Sequence, residues 1–88
     1  MFHKVRYVTP TNDYKLIVEF ISGVTKEYDI SILFEKFPIF KSLINDKELF
    51  YNVFVDKDGF GIVFSDNIDI ACDELWENSK TISTNFDG

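Results

Sequence analysis

The sequence predicts an α+β fold in which antiparallel β-hairpins form a small sheet, with one short middle helix and a C-terminal helix packed on it. Three observations lead there. Tyr14–Ile21 and Val24–Asp29 alternate apolar and polar residues and are separated by Ser22-Gly23, the pattern of two strands joined by a tight turn. Phe50–Trp76, FYNVFVDKDGFGIVFSDNIDIACDELW, reads as strand, turn, strand, link and helix. Between them lies an apolar run closed by Pro38, which gives a helix a defined end.

Taken in order, Phe2–Val8 is expected as a first strand with Val5 and Tyr7 on its buried face. Thr9-Pro10-Thr11-Asn12-Asp13 ends it, since proline cannot donate to a ladder and Asn and Asp favour turns. In the first hairpin Tyr14, Leu16, Val18 and Phe20 share one face, with Lys15, Ile17 and Glu19 opposite. Val24, Lys26 and Tyr28 then alternate with Thr25, Glu27 and Asp29. Asp29 or Ser31 can cap a helix from about Ile32. Leu33 and Phe37 are one helical turn apart, and Ile39–Ile44 adds a further turn before Asn45-Asp46.

Glu48–Val55 is expected as a strand that turns through Asp56-Lys57-Asp58-Gly59, with Gly59 left-handed, into Phe60–Phe64. Ser65-Asp66-Asn67 breaks that strand, Ile68-Asp69-Ile70 is a link, and a helix runs from Cys72 to about Ser79. Asp69 is the candidate cap, and Asp73 and Glu74 suit the positive end of the helix dipole. Residues 1–79 are expected as a single domain and residues 80–88, polar throughout most of their length, as a flexible tail.

Composition narrows the function. The chain of 88 residues carries fifteen acidic and nine basic side chains, a net charge of −6. No Lys/Arg run is present, and phosphate-backbone binding needs a basic patch to release counterions. Direct nucleic-acid binding by the chain alone and attachment to anionic membranes are therefore disfavoured. Ten Phe, four Tyr and one Trp compensate for a small core, because each buries about 150–250 Å². The lone Cys72 cannot form an intramolecular disulfide, which fits a reducing compartment. The N-terminus MFHKVRYVTP has no apolar signal region, and no apolar run approaches the ~20 residues of a membrane helix. A soluble, cytoplasmic protein is expected.

No catalytic constellation emerges. A calcium loop needs glycine at its sixth position and a bidentate Glu at its twelfth. Counted from Asp56, Gly59 stands at the fourth position and Gly61 at the sixth, but the twelfth is Asn67, which has no carboxylate, so a polar hairpin turn is the better reading. His3 and Cys72 are the only His and Cys; a catalytic pair needs them to meet beside an orienting group, and a helical Cys on an apolar stripe is more often core. There is no phosphate loop, nucleophile elbow or zinc spacing. No enzyme, metal or cofactor is expected. The residues singled out for partner binding are Asp66, Asp73, Glu74, Trp76 and Glu77. The plainer reading beside it gives the carboxylates to the helix dipole and Trp76 to the core. Phe37, Phe40, Phe60 and Trp76 exceed what one-face alternation needs, and surplus aromatics suit an interface.

The ordered set of residues resembles a known family. Val5 and Val8 open it. Tyr14-x-Leu16-x-Val18-x-Phe20, a Gly hairpin and Asp29-Ile30 follow. Phe50-x-x-Val53-x-Val55-Asp56 leads to Gly59, and Asp69-Ile70-Ala71-x-Asp73-x-Leu75-Trp76 closes it. Over about residues 4–78 this looks like the small bacterial family called Domain of Unknown Function 2442. The chain departs from that pattern at Phe64-Ser65 and Asn67-Ile68. The resemblance implies an α+β domain whose gene often neighbours that of a second small protein, in an arrangement like a toxin–antitoxin pair, with this chain on the antitoxin side. The expected function is thus a small acidic protein-binding module for a small basic partner encoded nearby. A component of a nucleic-acid or transcription-control complex, an enzyme of unrecognised type, and association as a homodimer stay open.

Overall fold

The computed structural model describes residues 3–84. The elements run β1 (Val5–Pro10), β2 (Lys15–Phe20), β3 (Val24–Asp29), α1 (Ile32–Lys36), a 3₁₀ turn (Pro38–Lys41), α2 (Ser42–Asn45) and α3 (Lys47–Tyr51). They continue through β4 (Phe54–Val55), β5 (Gly61–Ser65), β6 (Ile68–Ala71), α4 (Cys72–Asn78) and β7 (Lys80–Thr84). The architecture is α+β, as the alternation predicts. The strands divide between two antiparallel sheets, in the orders β1-β2-β3-β7 and β4-β5-β6. No helix among the described residues is long and apolar enough to cross a membrane.

The first hairpin follows its sequence closely. Lys15–Asp29 and Glu19–Thr25 bound the β2–β3 pairing, and Gly23 takes the positive φ of the turn. Leu16, Val18, Phe20, Val24 and Tyr28 are buried on one face. β1 is less regular. The expected strand began at Phe2, which lies outside the described residues; the observed one spans Val5–Pro10. Val5 pairs with Phe20 but Tyr7 pairs with Glu19, so Arg6 is the extra residue of a β-bulge. A bulge reverses the alternation beyond it. Val5 is 3% exposed while Tyr7 is 63% exposed, which corrects the expectation that the two share a buried face.

α1 starts at Ile32 and ends one residue before Phe37, whose backbone is extended (φ −134°, ψ 92°). The residue before a proline is forced out of the α region, and Pro38 opens the 3₁₀ turn. Ser31 occupies the cap position without a side-chain cap bond; instead the Asp29 carboxylate accepts from the Ser31 N–H and Oγ–H.

Glu48–Val55 is not one strand. Lys47–Tyr51 is α3, and only Phe54–Val55 remain extended. The deciding residue is Asp46, whose carboxylate accepts from the Leu49 N–H at 3.2 Å, with Glu48 in the first turn. A capped start and an acidic first turn outweigh an imperfect alternation. Phe50 and Val53, three residues apart, then reach the core.

The segment expected as a link, Ile68-Asp69-Ile70, is strand β6, with Ile68 and Ile70 buried and Asp69 exposed. α4 begins at Cys72 as expected, but Asp69 does not cap it. Ala71 sits at the cap position, and the Cys72 N–H donates to the Phe60 carbonyl at 2.8 Å. Lys80–Thr84, expected as loose tail, form β7 against β3; the rest of that tail, residues 85–88, lies outside the described residues. One cluster of buried residues joins both sheets and the helices, including Leu16, Phe20, Tyr28, Leu43, Phe50, Ile62 and Leu75.

Candidate functional site

A surface groove of about 400 Å³ lies between the α1 region and the β6–α4 corner. One wall is Leu33 and Phe37 with Ile39 and Phe40 of the 3₁₀ turn; the other is Asn67, Asp69, Ile70, Ala71 and Glu74. The sequence builds the first wall through Pro38. By ending α1 it turns Phe37 outward and tucks Phe40 in, the two rings 6.4 Å apart. Phe37 is 54% and Ile39 46% exposed, whereas Phe40 is buried. The volume falls in the lower part of the ~300–1,000 Å³ range of binding pockets.

The carboxylates around this corner differ in kind. Asp66 in the β5–β6 turn, Asp69 on β6, and Asp73 and Glu77 one turn apart on α4 are exposed. The carboxylates of Asp66, Asp69 and Glu77 make no hydrogen bond or ion pair among the described residues. Asp73 has only a long contact with the Cys72 thiol, 3.9 Å. Glu74 is committed inside the fold. Its Oε2 accepts from the Tyr28 hydroxyl at 2.8 Å and its Oε1 from the Asn78 amide at 2.9 Å.

Tyr28 is fully buried. Its burial, then its bond to Glu74 and that residue's charge, push the phenol well above its ordinary value. Removing the hydroxyl in Tyr28→Phe should cost about 1.5–3 kcal/mol, the range for a bond to a charged acceptor. Urea denaturation of Tyr28→Phe, Glu74→Ala and the double variant should show about 1 kcal/mol of coupling; strictly additive losses would deny the bond. Because the folded-state value is raised, this stabilisation is complete below the unfolded phenol's value of about 10 and is lost as pH rises beyond it.

Trp76 is likewise held in place. Its ring stacks on His3 (centroids 3.7 Å apart, 3° between planes) and meets Phe20 edge-on. Lys26, only 9% exposed, lies 4.1 Å from the Trp76 ring centroid and donates to the Trp76 carbonyl. The alternation that puts Lys26 on the core face of β3 is thus reconciled by a cation–π contact and a carbonyl acceptor. Of the five residues singled out in the sequence, Asp66, Asp73 and Glu77 are presented to solvent, while Glu74 and Trp76 tie α4 to the first sheet. The groove wall was foreshadowed only by the surplus of Phe37 and Phe40.

Burial raises the Cys72 thiol above its ordinary value, the opposite of what a nucleophile requires. The Asp56 carboxylate accepts from the Asp58 and Phe60 N–H groups, closing the turn around Gly59. Among the described residues no three His, Cys, Asp or Glu side chains are grouped to hold a metal ion.

Neither the curated proteins nor the solved structures offer a match to this chain. The family model described as protein of unknown function (DUF2442) matches residues 5–81. That span runs from the buried start of β1 into β7, covering both sheets, the groove and α4, and the chain belongs to this family.

Proposed function

We propose that this protein is a small acidic protein-binding module that engages a basic protein partner, in the manner of an antitoxin-like or accessory component. The observation that carries the reading is an apolar groove lined by Asp69, an exposed carboxylate without a partner among the described residues, with the exposed Asp66, Asp73 and Glu77 on the neighbouring turn and helix. Apolar anchors supply affinity at interfaces, and complementary charge supplies association rate and choice of partner. The net charge of −6 favours approach by a basic molecule. The resemblance implies a gene that often lies beside that of a second small protein, which supports the same role.

The direct test is co-expression with the product of the neighbouring gene, followed by co-purification and measurement of association across a salt series. A stable complex with a basic product is expected. The triple variant Asp66→Asn, Asp73→Asn, Glu77→Gln should associate about three- to tenfold more slowly at low salt, with dissociation changed less than twofold. The difference should fade as the Debye length shrinks to about 8 Å at 0.15 M. Glu74 is left intact because its loss would loosen α4. Thermal stability of the triple variant should stay close to that of the parent, since exposed charges contribute little. Equal rates with parallel salt slopes would remove these carboxylates from the interface.

A further inference from the structure

Resting on the protein-binding reading, we propose that the groove seats one large apolar side chain of a partner segment whose neighbouring Lys or Arg is selected by Asp69. The apolar part follows from the walls. Phe37 and Ile39 present exposed surface in a groove whose other lining includes the exposed Ala71 beside the buried Ile70, and an apolar side chain entering it removes the exposed apolar surface from water. The charge part follows from which acceptor is free.

Asp69 and Glu74 both line the groove. Both oxygens of Glu74 already accept, from Tyr28 and Asn78. Asp69 points from the exposed side of β6, and its carboxylate has no partner among the described residues. A partner cation therefore gains a new charge-assisted bond at Asp69, whereas at Glu74 it competes with two bonds already made. Asn67, at the same wall, has an amide side chain without a partner among the described residues and can accept from or donate to the segment's backbone.

Charge also selects the occupant. A second copy brings another −6 toward an acidic rim, while a basic segment is attracted to it. This assigns discrimination to one residue: Asp69 separates basic-flanked from neutral-flanked segments, and Phe37 with Ile39 supplies the affinity common to both.

The experiment uses the full chain, immobilised, and a random dodecapeptide phage library selected at low ionic strength. The expected enrichment is a Leu, Ile, Phe or Trp with Lys or Arg within two positions. A synthetic peptide of the enriched sequence is then measured by fluorescence anisotropy. Phe37→Ser with Ile39→Ser should weaken it by at least about tenfold. Asp69→Asn should weaken it by about three- to tenfold at low salt and leave a neutral-flanked version of the peptide unaffected. All three positions are exposed, and unchanged far-UV circular dichroism and melting verify that the variants are folded.

Basic peptides that bind with salt dependence yet ignore both groove variants would overturn the groove assignment and leave the basic-partner reading standing. Enrichment without basic residues would overturn the role of Asp69, and failure to bind any basic peptide would remove both. Sedimentation showing a dimer that the Phe37 and Ile39 changes convert to monomer would give the groove to a second copy instead.

Discussion

Replacing Gly61 by alanine is expected to lower stability by about 3 kcal/mol or to prevent folding. Gly61 pairs with Ala71 at the end of the β5–β6 ladder. A Cβ there would lie 2.5 Å from the Ile70 carbonyl oxygen and 3.3 Å from the Ala71 Cα. Both neighbours are backbone, so no side chain can rotate away. Relief requires β5 and β6 to separate, which disturbs Ile62 and Ile70 in the core and moves the wall that carries Asp69. For a domain of this size each kcal/mol shifts the melting temperature by about 4–8 °C, so a fall of roughly 12–24 °C should appear in a thermal melt. A melt within a few degrees of the parent would mean that the two strands do not approach each other at this register.

Gly59→Val should destabilise by about 2–3 kcal/mol for two separable reasons. Gly59 has φ +78°, and its added Cβ would stand 3.0 Å from the Val5 carbonyl and 3.3 Å from the Lys4 Cβ. A β-branched residue is strained at this φ whatever the space. The contact also weakens the bond from the Val5 N–H to the Gly59 carbonyl, 2.8 Å, which joins β1 to the second hairpin. Asn tolerates the left-handed region better than Val. Gly59→Asn should therefore recover part of the loss, the remainder reporting the crowding against Val5. Urea midpoints for the two variants decide this: equal and undiminished midpoints would show a turn of another type.

Much of the fold is legible where one local signal acts alone. The Ser22-Gly23 hairpin, the stop at Pro38 and the left-handed Gly59 each depend on a residue with a narrow backbone preference. The reading goes astray where two signals compete. Over Glu48–Val55 a rough alternation competes with the Asp46 cap, and the cap prevails through a bond to Leu49. At Arg6 a bulge changes the face of Tyr7, and nothing in the residues of β1 alone announces it; it is visible only in the pairing with Glu19. Lys80–Thr84 are polar and read as tail, yet they become a strand because the open edge of β3 offers partners from Val24 to Glu27.

The candidate site divides along the same line. Exposure of Asp66, Asp73 and Glu77 follows from their charge and their places in a turn and on α4. The attachment of Glu74 to Tyr28 does not, because the two are 46 positions apart in sequence. A groove between two distant segments is likewise a property of packing, and only the excess of aromatics beside Pro38 hints at it.

The pairing of β7 with β3 has a consequence for the order in which the chain assembles. Its contacts join residues more than fifty positions apart, and every helix and the whole second sheet lie between them. Closing so long a loop is entropically slow compared with forming the neighbouring β2–β3 hairpin. During synthesis β3 emerges well before its outer neighbour, so its free edge stays open until nearly all the described chain has been made. Such an edge is a template for pairing with other chains. Lys26 on that strand finds its ring and carbonyl partners only when Trp76 arrives, and until then its charge opposes dry association of exposed β3 strands. The cation that looks misplaced in the finished core thus protects the unfinished one.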